Sequence, residues 1–180
     1  MAVFRIIPGQ QYTGNGMIAY IYNKEIHDGM IITFSVGADP ANGYTDFMLT
    51  KLLYNKPGGV QYKQFMLSLT QKETIDDFYN RPYEIIKMFT DIADEIACKF
   101  GVQIMGAIHG NTDNIHAHYI LNSVSFVDGH KIQISKKDLF ELKCMINEYL
   151  YKLGLIPINI SDYEIERNSP TKSYTFPHYP

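Results

Sequence analysis

Residues 102–126 read VQIMGAIHGNTDNIHAHYILNSVSF. The two ends of this stretch are rich in apolar and β-branched residues, and the middle, from Gly110 to Ile115, is a turn-rich loop. This is the pattern of two strands folded against each other. Side chains alternate along a strand, so His116, His118, Ile120 and Asn122 share one face, and Ala117, Tyr119, Leu121 and Ser123 share the other. His109 ends the first strand, and the loop brings it beside His116 and His118. Three imidazoles then converge on one point, a donor set that suits a divalent metal with open coordination positions. Asp113, in the loop, is placed to accept the outer N–H of one imidazole and fix its tautomer. Three neutral ligands leave the ion's charge intact, so it can act as a Lewis acid on a phosphoryl oxygen or activate a bound water.

Working outward, Val3 to Ile7 reads as a strand stopped by Pro8-Gly9, and Thr13 to Tyr22 as a helix. Met30 to Val36 is a β-branched run between glycines, hence a strand. Tyr44 to Tyr54 has helical spacing, and Val60 to Leu69 reads as a strand. The spacing Phe78, Ile85, Ile86, Phe89, Ile92, Ala93, Ile96, Ala97, Phe100 predicts a helix over 76–100, with Thr74 and Asp77 as a capping box. Cys98 falls on its apolar side and is expected in the core. A second box, Ser135 and Asp138, opens a last helix that closes at Gly154. The order β-α-β-α-β-α-β-β-α predicts an α+β domain, a mainly antiparallel sheet with flanking helices. One domain is expected over 1–160, followed by an irregular tail over 161–180 that carries three prolines.

With 180 residues, 46% of them apolar, the chain can bury one sizeable core. No run of about 18 apolar residues is present, so no membrane insertion is expected. Two cysteines and no secretory signal lead to the expectation of a cytoplasmic protein. The formal charge, 16 Lys+Arg against 19 Asp+Glu, is −3, which by itself argues against a simple nucleic-acid binder. Its distribution is uneven. No acid occurs from Phe47 to Lys72, where Lys51, Lys56, Lys63 and Lys72 interleave with Tyr54, Tyr62 and Phe65. Lys131, Lys136 and Lys137 follow the histidine strand, and the acids gather between Glu73 and Glu95. A basic, aromatic groove beside the histidines and an acidic back are therefore expected.

HGNTDNIHAHYILNSVSF resembles the third motif of the relaxase/mobilisation nucleases, members of the HUH (histidine–hydrophobe–histidine) endonucleases. His109, Asp113, His116, His118 and Asn122 match its pattern. FMLTKLLYNKPGGVQYKQFMLSLTQKE resembles the second-motif region, and MIAYIYNKEIHDG the first, so the likeness covers about residues 1 to 155. The resemblance implies a central five-stranded antiparallel sheet. It implies that His109, His116 and His118 bind Mg²⁺ or Mn²⁺, that Tyr20 is the nucleophile, and that Ser68 contacts DNA near the nick. Asp113 joins the catalytic set. Lys51, Lys63 and Asn122 join Ser68 as DNA-binding candidates, and Tyr22, His27 and Glu73 are auxiliary candidates, Glu73 as a base or an orienter of a ligand histidine. Tyr22 ranks behind Tyr20 as nucleophile and His27 third. A helix points Tyr20 and Tyr22 about 200° apart, so only one can face the metal.

The implied reaction is site- and strand-specific transesterification at an origin of transfer, leaving a 5′-phosphotyrosyl link. Implied partners are single-stranded or supercoiled origin DNA, accessory mobilisation proteins and a coupling protein. The chain departs from the family pattern at Asn111, often Asp, and at Ile26-His27, often Lys-Thr. Three other readings stay open: a non-catalytic DNA- or partner-binding module, a rolling-circle replication initiator, and a hydrolase using metal-bound water.

Overall fold

The computed structural model describes residues 2–7, 14–23, 31–110 and 112–161. Five strands alternate with helices: β1 (Val3–Ile7), α1 (Gly14–Ile21), β2 (Ile31–Val36), α2 (Gly43–Leu53), β3 (Tyr62–Ser68), α3 (Gln71–Glu73), α4 (Pro82–Phe100), β4 (Ile104–His109), β5 (His116–Asn122) and α5 (Lys136–Lys152). They form one sheet in the order β1-β3-β5-β4-β2. Every neighbouring pair is antiparallel. The expected sheet and element order are both present. His27 and the other residues of 24–30, together with Asn111 and the tail beyond Ser161, lie outside the described residues.

The β4–β5 hairpin sits inside the sheet, flanked by β2 and β3, and its alternation divides the molecule into layers. On one face Phe65, Leu67, Ile104, Ile108, Ala117, Tyr119 and Leu121 are buried against α4 and α5. α4 contributes Ile85, Met88, Phe89, Ile92, Ala93, Ile96 and Ala97, the three-and-four spacing that lines one side of a helix. Each isoleucine, methionine or phenylalanine among them contributes about 1.5–3 kcal/mol by leaving water. Tyr119 is fully buried here, and its hydroxyl donates to the Phe89 carbonyl at 3.1 Å. On the other face Tyr62, Met105, Ala107 and Ile120 meet Met17, Ile18 and Ile21 of α1 and Phe47 of α2. This smaller layer belongs to the histidine face. Gly43 begins α2 directly over Met105, where any Cβ would collide with the methionine side chain, so the helix lies flush on β4.

The long helix expected over 76–100 is divided. The capping box is Thr70 and Glu73, whose side chains and backbone N–H groups bond reciprocally. A π-helical turn, Thr74–Phe78, follows. Pro82 then forces a fresh start, since proline has no N–H and its ring clashes with the carbonyl four residues back. The capping box expected at Ser135 and Asp138 is present. β5 stops at Asn122, short of the expected Phe126, because its registered partners end there: Asn122 faces Tyr62, the first residue of β3, and Leu121 faces Ile104, the first of β4. Cys98 is exposed, beside the buried Ala97 instead of in the core.

Candidate metal centre

The antiparallel register aligns rows of side chains across the sheet. One row on the smaller-core face is His109, His116, Ser68, Val3. The next is Thr33, Ala107, His118, Met66, Arg5. His109 and His116 are thus direct cross-strand partners, and His118 is one pleat further along. The ring centres of the three histidines form a nearly equilateral triangle, 5.1, 5.1 and 5.2 Å on a side. Their candidate ligand nitrogens all lie within 4.8 Å of one another. The centre of such a triangle is about 3 Å from each ring centre, which fits an ion about 2.1 Å from a nitrogen of each ring. His109 and His118 are buried and His116 is half-buried, so the triangle opens to solvent on one side.

Each ring is held by a different neighbour. His109 Nε2 lies 2.8 Å from the Ile21 carbonyl. A carbonyl only accepts, so Nε2 carries the proton and the Nδ1 lone pair is left for an ion. His116 Nδ1 lies 3.0 Å from the Asn114 carbonyl, which by the same logic leaves Nε2. His118 Nδ1 lies 3.1 Å from the Gln64 amide on β3. The outer contact expected from Asp113 is supplied instead by the loop backbone at Asn114, and Asp113 is exposed. Neutral nitrogens converging in a triangle, with their outer sides fixed, are the donor set a divalent ion requires.

The Ile21 carbonyl also ties the triangle to α1. Tyr20 is the preceding residue and is 40% exposed. Tyr22 turns inward. Its hydroxyl donates to the Phe34 carbonyl at 3.4 Å, and burial pushes its pKa up to about 12. The negative end of α1 faces the histidines, which favours a cation there.

The remaining candidates divide sharply. Ser68 is on the histidine face, directly opposite His116, half-buried, with its hydroxyl donating to the Leu69 carbonyl at 3.1 Å. Lys63 is five residues before Ser68, so strand alternation sends it to the other face, away from the triangle. Lys51 is 1% exposed and donates to the backbone and side-chain oxygens of Gln61 at 2.6 and 3.0 Å. Desolvation, with help from Lys131, lowers its pKa to about 8. Neither lysine is available to DNA at the site. Asn122 is fully buried and donates to the Phe47 carbonyl at 3.2 Å and to Gln103 Oε1 at 2.9 Å, pinning α2 to the sheet. Glu73 is 4% exposed and accepts from Thr70 N–H and hydroxyl at 2.8 and 2.7 Å, and from Ile156 N–H. It caps a helix and clamps the segment after α5, where no ligand histidine needs it.

The expected basic, aromatic groove dissolves for the same reasons. Tyr62 and Phe65 are buried, Lys72 is paired with Asp76, and Lys131 donates to the Gly58 carbonyl. Among the described strand residues, the cation that does share the histidine face is Arg5, exposed on β1 in the His118 row. Strand spacing places its Cα roughly 10 Å from that of His118. Gln64 and Arg5 are the residues sequence reasoning missed. Gln64 lies four residues before Ser68 on one strand, a spacing that marks a shared face.

Comparison with known proteins agrees with the fold. No curated protein matches. A solved structure from work on the molecular basis of vancomycin resistance transfer in Staphylococcus aureus has the same fold, with a TM-score of 0.63 at 14% identity over 91% of this chain and 100% of that one. No helix among the described residues is long and apolar enough to cross a membrane. The family model described as relaxase, MobA/VirD2-like, nuclease domain matches residues 20–155, and on that match the chain belongs to the relaxases, a family of mobilisation nickases.

Proposed function

We propose that this domain makes a site- and strand-specific nick in DNA at an origin of transfer, with Tyr20 as the nucleophile. The observation that carries the proposal is the Ile21 carbonyl seated on His109 at 2.8 Å, which joins the helix of Tyr20 to the three-histidine triangle. Tyr20 is exposed beside that contact, whereas Tyr22 is spent on packing. His109, His116 and His118 hold a divalent ion, Mg²⁺ or Mn²⁺, which when bound supplies Lewis-acid stabilisation of charge on the non-bridging phosphate oxygens. Tyr20 Oη attacks phosphorus in line, a tyrosyl O–P bond forms, and the bond to the 3′ oxygen breaks. The phenol loses its proton, and the leaving 3′ oxygen gains one to become a free hydroxyl. Asp113, exposed on the loop between His109 and His116, is the carboxylate assigned to accept the phenol proton. Ser68 and Arg5 hold the strand on the sheet face, Arg5 as a phosphate contact.

The domain occupies residues 1–160 and works in the cytoplasm on single-stranded or supercoiled DNA. With few free lysines at the site, affinity is modest and salt-sensitive, so loading relies on accessory mobilisation proteins and a coupling protein. Supercoiled plasmid bearing the cognate origin tests the proposal. With Mn²⁺, the wild type yields nicked plasmid and a protein–DNA adduct, and Tyr20→Phe yields neither. Nicking that survives Tyr20→Phe assigns the chemistry to water. No nick and no adduct from the wild type leaves a DNA-binding module.

A further inference from the structure

We infer that Gln64 is a positioning residue, which selects Nε2 of His118 as the metal-binding nitrogen by accepting a hydrogen bond from Nδ1–H. This rests on the metal reading of the histidine triangle. Gln64 sits on β3, on the histidine face, one pleat from the position opposite His118. It is 2% exposed, and its amide lies 3.1 Å from His118 Nδ1. As placed, the amide nitrogen faces the ring, and Gln64 Oε1 is buried with no hydrogen-bond partner among the described residues. That orientation is incompatible with ligation. A donor on Nδ1 forces the ring proton onto Nε2, and Nδ1, taken up by Gln64, is closed to an ion. Turning the amide over about its last side-chain bond exchanges two atoms of nearly equal size. The oxygen then accepts from Nδ1–H, and the Nε2 lone pair points to the ion.

The choice of amide over carboxylate has its own effect. A carboxylate on the outer nitrogen raises ligand basicity and brings negative charge to the site. Gln64 fixes the tautomer while leaving the full positive charge available to a phosphate. The Ile21 and Asn114 carbonyls are likewise neutral acceptors, so each of the three rings has a neutral oxygen to orient it among the described residues.

Two readouts test this on the full 180-residue chain. Nitrogen-15 NMR of the metal-free protein at pH 8 reports the His118 tautomer, and the inference expects the proton on Nδ1. Calorimetric titration with Mn²⁺ then compares wild type, Gln64→Met and Gln64→Glu, with metal-free melting temperatures as the fold control. Gln64→Met, nearly isosteric but unable to accept, weakens Mn²⁺ binding about 10- to 100-fold. Gln64→Glu binds as tightly as wild type or tighter. A wild-type proton on Nε2 overturns the inference, and so does wild-type affinity in Gln64→Met or an equal loss in both variants. Should Gln64→Met fail to fold, the wild-type tautomer and Gln64→Glu still decide. His118→Ala separates the two levels. Unchanged Mn²⁺ binding there removes the metal reading itself, whereas loss there with no loss in Gln64→Met removes only the role of Gln64.

Discussion

Lys51 should make the stability of this domain rise steeply with pH in a range where most proteins change little. The residue is 1% exposed, its ammonium is bonded to two oxygens of Gln61, and its pKa in the folded chain is lowered from 10.5 to about 8. Below pH 8 both folded and unfolded chains hold the proton, and folding carries the full cost of burying the charge. Between pH 8 and 10.5 the unfolded chain still holds a proton that the folded chain has released. Stability therefore rises with pH through this window and is lost again as pH falls through it. Each unit is worth about 1.36 kcal/mol, so the gain across the window is about 3 kcal/mol. Tyrosines also titrate here, and a difference measurement removes them. Urea unfolding of wild type and Lys51→Met at half-unit steps from pH 7 to 10.5 isolates Lys51. The stability difference should shift by about 3 kcal/mol in favour of wild type as pH rises. A difference that stays flat across the window would refute the reasoning and place the ammonium in contact with water.

Three further outcomes follow from the same structure. Asn122→Leu strands the Phe47 carbonyl and Gln103, and should cost about 2–4 kcal/mol in urea unfolding while Mn²⁺ affinity stays within twofold. A selective loss of DNA affinity at unchanged stability would return Asn122 to the binding surface. Glu73→Ala removes both the cap and the clamp on Ile156, and should cost about 2–3 kcal/mol. The acid limb of its pH–rate profile should not move, as it would if Glu73 were a base. Paired charge reversals distinguish the faces of the sheet. Arg5→Glu should weaken single-stranded DNA binding at least tenfold by fluorescence anisotropy, and Lys63→Glu should weaken it less than threefold.

Elements were legible wherever local pattern dominated. The alternation around His116 and His118 announced both the hairpin and the shared face, and Ser135 with Asp138 marked a helix start. The signal failed where tertiary context decides. Lys51 reads as a solvated charge in any local window, and its contact with Gln61, ten residues on, appears only in the folded chain. Thr74 and Asp77 have capping-box spacing, but Thr70 and Glu73 have it too, and Pro82 makes the earlier pair the start of a separate short turn. The DNA-binding set failed for a simpler reason. Lys63 and Ser68 differ by an odd number on one strand, so they cannot share a face. The same count, applied to Gln64 and Ser68, would have found Gln64. Asn122 obeys the parity but lies two pleats beyond His118, under α2, where the face has become core.

The bond between His109 and Ile21 uses a backbone carbonyl. Every amino acid offers that atom, so no point substitution at position 21 deletes it, and Ile21 answers to the core through its side chain and to His109 through its backbone. What the gene must preserve is count. One residue inserted in α1 turns everything after it by about 100° and advances it 1.5 Å. That would withdraw the carbonyl and re-aim the tyrosine in a single event. Lineages descended from this chain should therefore exchange exposed positions of α1 such as Ala19 readily, but tolerate almost no change in the length of that helix.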